Sequence, residues 1–166
     1  MAGYTGSHNP LLVNYFQFSL DRTPKTVYFC QTVNLPGIQF GTAEQPTVLG
    51  HPVVIPTGAV RYNNLELTFR VDEDLKNWTE LYDWIRTTSN YTSDESTLQY
   101  NKKTSGASLL ITNSAYIPKI RVDFKHVFPR ILSDIKFGVN TQFSAEVLAT
   151  VAFAHTGYTT TVLANP

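Results

Sequence analysis

The sequence has little of what stabilises secreted proteins or anchors membrane proteins. Its 166 residues include one cysteine, Cys30, which excludes an intrachain disulfide framework. No stretch approaches the roughly 20 consecutive apolar residues that a membrane-spanning helix needs. The first residues, MAGYTGSHNP, lack the basic start and the apolar centre of a signal peptide. We therefore expect a protein that is made in the cytoplasm and has no membrane partner.

Charge is also scarce. Charged residues make up 16% of the chain, and 13 bases balance 13 acids, a composition unlike that of nucleic-acid-binding proteins. The charges are unevenly placed: residues 1–99 carry six bases and ten acids, whereas residues 100–166 carry seven bases and three acids. Two interpretations of this asymmetry are open. Either the two halves supply different solvated faces, or the acidic half of one copy binds the basic half of another.

Signatures of catalysis and of cofactor binding are missing as well. The phosphate-binding pattern GxxxxGK and the nucleophile pattern GxSxG do not occur. The four histidines lack the paired spacing of a metal site; they are His8, His51, His126 and His155. The sequence therefore predicts no enzyme activity, no bound metal and no cofactor.

What the sequence does contain is alternating, aromatic-rich β structure. The runs NYFQFSL and TVYFCQTV, joined by DRTPK, are predicted to form a hairpin. Segment 34–64 is interrupted by proline and glycine and suits extended edges or a long protruding hairpin. Segment 141–154 alternates as one long strand that needs a partner strand. We expect a single domain over residues 1–166, mainly β, as an antiparallel β-sandwich or barrel.

One helix interrupts the strands at about residues 73–87. The strand-like alternation from Leu65 to Val71 stops, acids follow, and apolar residues then recur at the three-and-four spacing of one helix face. We expect this flanking helix to pack on the sheet through Leu75, Trp78, Tyr82 and Ile85. Trp84 lies off this stripe and is therefore a candidate for the subunit interface, where tryptophan is favoured.

A charged strand face supplies further interface candidates. In the run PKIRVDFKH, alternation places Ile120, Val122 and Phe124 on one face and the charged residues on the other. The bases on that charged face are Lys119, Arg121 and Lys125. We expect them to meet acids of an adjacent copy, such as Asp94 and Glu95 in the polar loop between the helix and the next strand.

The order of these elements resembles the tube proteins of contractile bacteriophage tails. The resemblance is carried by VNLPGI, by LELTFRVDEDLKNWTELYDWI and by the closing FKHVFPRILSDIKFGVNTQFSAEVLATVAFAHTGY. It implies a hexameric ring of β-sandwich subunits, whose extended hairpins pair between subunits in an inner barrel, with the rings stacked into a hollow tube. It also implies a place in the virion, tail sheath and baseplate proteins as partners, and DNA that passes through the lumen without sequence-specific binding.

Within this family, segments 44–62 and 141–161 are candidates for the inner barrel, and the helix is expected outside the sandwich. The chain is then either the repeating tail tube protein or a baseplate tube protein that initiates the tube. The tubes of type VI secretion systems and of bacteriocin-like particles share the architecture. A different class explains the aromatic residues and the alternation equally well, namely a monomeric all-β carbohydrate-binding module.

Overall fold

The computed structural model describes residues 11–12, 14–47, 50–89, 103–139 and 146–163. The strands among them are β1 (Phe16–Leu20), β2 (Cys30–Val33), β3 (Ile38–Gln45), β4 (Val53–Tyr62), β5 (Leu65–Arg70), β6 (Ser105–Thr112), β7 (Pro118–Leu132), β8 (Leu148–Ala154) and β9 (Gly157–Val162). The helices are α1 (Pro24–Tyr28) and α2 (Lys76–Ser89). All strand pairs are antiparallel. The mainly β fold class is therefore confirmed.

Most strands belong to one sheet, which turns a corner along β7. Its order is β1-β6-β7-β8-β5-β2, and β9 also pairs with β7. Residues 120–125 of β7 pair with β9, whereas residues 128–132 pair with β8. Between them His126 has a φ of 52°, an uncommon left-handed conformation that redirects the strand. Both halves of the sheet contribute to one apolar core, whose large members include Phe18, Leu67, Phe69, Leu109, Val122, Phe124, Val151 and Phe153.

The predicted hairpin of NYFQFSL with TVYFCQTV is wrong. β1 pairs with β6, β2 pairs with β5, and α1 occupies the residues before β2. Pro24 stands in the first turn of α1, where proline is preorganised for a helix. The Thr26 hydroxyl is buried and donates to the carbonyl of Asn77 at 3.4 Å. Contact with α2 therefore overrides the β propensity of this run.

The strand predicted for residues 141–154 starts later than expected. β8 begins at Leu148, and residues 140–145 lie outside the described part of the chain. The expected face of β8 is buried at Ala149, Val151 and Phe153, and Ala152 on the other face is buried as well. β8 lies between β5 and β7, so it is an inner strand of its own sheet and not an edge that a neighbouring copy could extend.

Helix α2 begins at Lys76. The acids Glu73 and Asp74 lie in a turn that precedes the helix. Its buried side chains are Asn77, Leu81 and Trp84. These positions follow the i, i+4, i+7 spacing of one helix face. The predicted stripe is corrected at two positions, since Leu75 precedes the helix and is exposed, and Tyr82 is 41% exposed. The other two members, Trp78 and Ile85, are half-buried.

Trp84 is a core residue, and its assignment to the subunit interface is wrong. Only 3% of the residue is exposed. Its ring centroid lies 6.1 Å from that of Phe153, and the guanidinium of Arg22 lies 5.0 Å from the indole ring centroid. Its Nε1 donates to the carbonyl of Lys103 at 2.8 Å. The interpretation failed because the spacing was counted from Leu75, which lies outside the helix.

Asn77 joins the end of β5 to the start of α2. Its Nδ2 donates to the carbonyl of Arg70 at 2.7 Å, and its Oδ1 accepts from the backbone N–H of Asp72 at 3.1 Å and of Trp78 at 2.8 Å. We expect Asn77→Ala to lower the free energy of unfolding by about 1–3 kcal/mol in urea denaturation, because these partners lose their bonds. The exposed Thr79→Ala should change it by less than about 0.5 kcal/mol. Equal losses in both variants would contradict the role of the Asn77 side chain.

Candidate assembly surface

The hairpin of β3 and β4, termed the arm, stands apart from the main sheet. Its strands pair with each other, and neither pairs with another strand of the described residues. Every residue of β4 is exposed. An isolated two-stranded hairpin is marginally stable in water, and its outer edges present backbone groups that can pair with another chain. Of the extended edges or protruding hairpin expected within residues 34–64, the structure shows the hairpin, which runs from Ile38 to Tyr62.

The register of the arm separates an apolar face from a polar face at its root. Two apolar pairs lie opposite each other across the strands: Ile38 with Tyr62, and Phe40 with Val60. Directly opposed residues share a face, so the intervening pair of Gln39 and Arg61 lies on the other face. The apolar face has little cover, since Phe40 is 54% and Val60 46% exposed. A concentration of exposed apolar side chains is typical of a contact surface.

A bulge divides the arm into a root and a tip. The pairing register shifts between Phe40 and Thr42. Within the bulge Gly58 has a φ of 76°, a left-handed conformation that glycine adopts at little cost. A Cβ atom on Gly41 would lie 2.6 Å from Oγ1 of Thr57, so the bulged strand passes directly over this glycine. Bulges increase the local twist of a hairpin, and the tip is therefore rotated relative to the root.

Four rings fix the root of the arm to the sandwich, and we term them the root cluster. They are Tyr62 of β4, Phe124 of β7, Tyr158 of β9 and His155, which follows β8. The ring centroid of Tyr62 lies 5.6 Å from those of His155 and Tyr158. The centroid of His155 lies 5.4 Å from that of Phe124. Aromatic pairs of this kind contribute about 0.5–1.5 kcal/mol beyond the area that they bury.

Hydrogen bonds from the root cluster reach the backbone on both sides of the arm. The Tyr158 hydroxyl donates to the carbonyl of Pro36 at 2.9 Å, just before β3. Nε2 of His155 donates to the carbonyl of Asn63 at 3.1 Å, just after β4. Burial lowers the pKa of His155, although backbone hydrogen bonds to Asn63 and Gly157 oppose this shift. The arm is thus held at its root by ring contacts, by a hydrogen bond from the Tyr158 hydroxyl and by a hydrogen bond from the His155 imidazole.

The charged face predicted for β7 lies on the sandwich. Val122 and Phe124 are buried, whereas Arg121 and Lys125 are exposed, which confirms the alternation. Nε of Arg121 donates to Oδ1 of Asp123 at 2.8 Å, so part of this charge is balanced within the chain. The expected acidic partners, Asp94 and Glu95, lie outside the described residues. Complementarity between copies through this face therefore stays a prediction.

Reversing two bases of this face tests that prediction. We expect Lys119→Glu combined with Arg121→Glu to block association of subunits that remain folded. Association of the unmodified chain should weaken as salt is raised, because exposed pairs are screened over about 8 Å at physiological ionic strength. Analytical ultracentrifugation at low and high salt measures both effects, with reversal of the exposed Arg130 and Lys136 as the control. Unchanged association and salt response in the first variant would assign the charges to solvated faces.

The described residues contain no arrangement that favours metal binding or thiol chemistry. No group of three His, Cys, Asp or Glu side chains among them could hold a metal ion. Cys30 is half-buried, and burial raises the pKa of its thiol to about 11, so the reactive thiolate is scarce at neutral pH. Neither helix in the described part of the chain is long and apolar enough to cross a membrane.

Comparison with known proteins identifies the family. The family model described as phage tail tube protein matches residues 12–161. The chain therefore belongs to the phage tail tube protein family, which confirms the resemblance found in the sequence. Membership makes it a structural component of a phage tail and not an enzyme.

Individual relatives agree with this assignment. The tail tube terminator protein of Enterobacteria phage T4 is 28% identical over 129 residues, which cover 76% of this chain and 73% of the relative. A chain in the sheath-tube complex of the PVC extracellular contractile injection system has a TM-score of 0.67 at 18% identity, with 94% of each chain covered. A chain of the tube terminating cap of the anti-feeding prophage has a TM-score of 0.67 at 16% identity, with 98% of this chain and 97% of that chain covered. At 18% and 16% identity, these two structural matches show that the fold is similar.

Proposed function

We propose that the chain forms hexameric rings that stack into the inner tube of a contractile phage tail, a conduit for DNA ejection. The arm is the observation that carries this proposal. It presents open strand edges and an apolar root face centred on Phe40 and Val60, and no described part of the same chain covers them. The number of six subunits in each ring is taken from the family resemblance. Residues 1–166 act as one tube-forming domain.

Pairing of arms between copies accounts for these exposed groups. A ring of identical copies that pair edge to edge closes into a barrel, and closure removes every free edge. Tyr62 turns the apolar face of the arm root toward the sandwich. The opposite face, with Gln39 and Arg61, then lies toward the lumen. The lumen passes DNA without reading its sequence, consistent with the low charge content of the chain.

The partners of such a tube are the tail sheath around it and the baseplate below it. The similar chain in the PVC structure comes from a sheath-tube complex, which supports a sheath partner for this chain. Helix α2 lies on the sandwich and not in the arm, and its exposed side is available to an outer layer. The family match favours this reading over a monomeric carbohydrate-binding module.

A second candidate function is termination of the tube. The T4 relative is named a tail tube terminator, and the anti-feeding prophage chain is a tube terminating cap. A terminator would use the same fold and the same arm, but one ring would end the tube. The initiator role at the baseplate also stays open, because a chain in the baseplate structure of the anti-feeding prophage has a TM-score of 0.65 at 11% identity, with 93% of this chain and 97% of that chain covered.

Size-exclusion chromatography followed by negative-stain microscopy of the purified full chain tests the proposal. A repeating tube protein should form rings at low concentration and tubes of increasing length at high concentration. A terminator should stop at single rings and bind only the ends of tubes. A monomer that persists at high concentration would contradict both functions.

A further inference from the structure

Protonation of His155 would change the contacts that hold the arm, because its imidazole is a member of the root cluster. Its Nε2 donates to the carbonyl of Asn63, directly after the arm. Its Nδ1 is buried and makes no hydrogen bond of normal geometry with the described residues. The rings of Tyr62, Phe124 and Tyr158 surround the imidazole. Such a site favours a neutral imidazole, because Nδ1 is enclosed by rings and meets no acceptor in good hydrogen-bond geometry, and the nearby backbone of Gly157 offsets only part of the cost of burying a second N–H.

We propose that His155 is a proton-sensitive latch that holds the arm against the sandwich at neutral pH and releases it in mild acid. The latch itself is a property of the single subunit. Its consequence for assembly rests on the proposed function, because a released arm cannot present its edges to a neighbouring copy in a fixed orientation. Mild acid should therefore favour separate subunits, and neutral pH should favour rings.

The groups that face His155 do not compensate a positive charge. The titratable side chains in contact with it are the phenols of Tyr62 on β4 and Tyr158 on β9, which are neutral and carry no counter-charge. The ring that β7 contributes is a phenyl group. The charged residues next to these contacts, Arg61 on β4 and Lys125 on β7, are cations on the opposite faces of their strands. No carboxylate of the described residues is paired with the imidazole.

The sign of the pH dependence follows from the burial of the docked ring. Burial lowers the pKa of His155 in the docked arm, whereas a histidine in solution has a pKa of about 6.5. Above about pH 6.5 both forms are neutral, and the latch has its full strength. As the pH falls from there through the lower pKa of the docked ring, the released form binds protons first. Protons therefore favour release, by about tenfold for each unit between the two pKa values.

The substitution His155→Gln removes the titration and keeps an N–H for the carbonyl of Asn63. Hydrogen exchange followed by mass spectrometry on dilute, unassembled subunits reports docking, with rates corrected for the intrinsic effect of pH. For peptides that span Asn63, protection in the unmodified chain should fall as the pH is lowered from 7.5 to 5, because burial lowers the pKa of the docked ring. It should stay constant in His155→Gln and still fall in the exposed control His51→Gln. A second variant, His155→Phe, should also lose the pH dependence.

Assembly is then measured over the same pH range. We expect the unmodified chain to lose its rings in mild acid, and His155→Gln to keep them. An equal pH dependence of protection in the unmodified chain and in His155→Gln would overturn the latch. The same assembly profile in both proteins would overturn its control of assembly. A pH-dependent latch in subunits that never associate would instead contradict the proposed tube, so the two failures are distinguishable.

Discussion

Replacing Trp84 with alanine is expected to lower the free energy of unfolding of the subunit by about 3–5 kcal/mol. The indole is almost fully buried between the helix and the sheet, next to Phe153, and Arg22 lies over its ring. Truncation leaves a large cavity and removes the bond from Nε1 to the carbonyl of Lys103. Chemical denaturation monitored by circular dichroism measures the loss, because the other tryptophan complicates a fluorescence signal.

Trp78→Ala is the matched control, since it removes the same side chain from the same helix. Trp78 is half-buried, stacks on the exposed Tyr82 with ring centroids 5.4 Å apart, and donates through Nε1 to the carbonyl of Ser133 at 3.4 Å. We expect a loss of about 1–3 kcal/mol, because fewer of its contacts are buried. The helical spacing counted from Leu75 predicts the reverse order, with Trp78 in the core and Trp84 outside it. A greater loss from Trp78→Ala would restore that assignment.

The second large effect is expected on assembly, from a charge placed on the apolar face of the arm. Phe40→Asp and Val60→Asp should each weaken association between subunits by at least about tenfold, because burial of one large apolar side chain contributes about 1.5–3 kcal/mol. A buried unpaired carboxylate adds a further penalty. Both side chains are exposed in the single chain, so subunit stability should stay nearly constant. Sedimentation velocity over a concentration series measures the association.

Gln39→Asp provides the control for this experiment. Gln39 lies next to Phe40 on the same strand, but its side chain is on the polar face with Arg61. The substitution adds the same charge to the same hairpin, and association should change little. A loss of association as large as that of Phe40→Asp would mean that the charge of the arm, and not its apolar face, governs assembly.

Local patterns predicted the elements that depend on neighbours in sequence. The alternation in β5 and in residues 120–125 of β7 follows directly from the period of two, since each places its apolar residues on the more buried face. The arm was predictable because proline and glycine interrupt residues 34–64 too often for a helix and suit a protruding hairpin. The presence of α2 was predicted from its three-and-four spacing. Its buried face was not, because that face depends on whether the helix begins before or after Leu75.

These local patterns do not predict contacts between residues that are distant in sequence. The β propensity of TVYFCQTV indicated a strand, but the buried contact of Thr26 with Asn77 favours a helical turn there. His155 had no partner at a recognisable sequence spacing, because its ring neighbours come from β4, β7 and β9. One local signal was present in the run AHTGY, where Gly157 has a φ of 154°, a conformation that other residues rarely adopt, as the chain passes from β8 into β9.

The most direct test of the account is a cryo-electron microscopy map of the assembled particle. We expect rings in which β3 and β4 of one copy form backbone hydrogen bonds with strands of the next copy, around a continuous lumen. Phe40 and Val60 should be covered by protein, and Arg61 should face the lumen. Rings or filaments in which the arm projects into solvent, with contacts made only between sandwiches, would contradict the account.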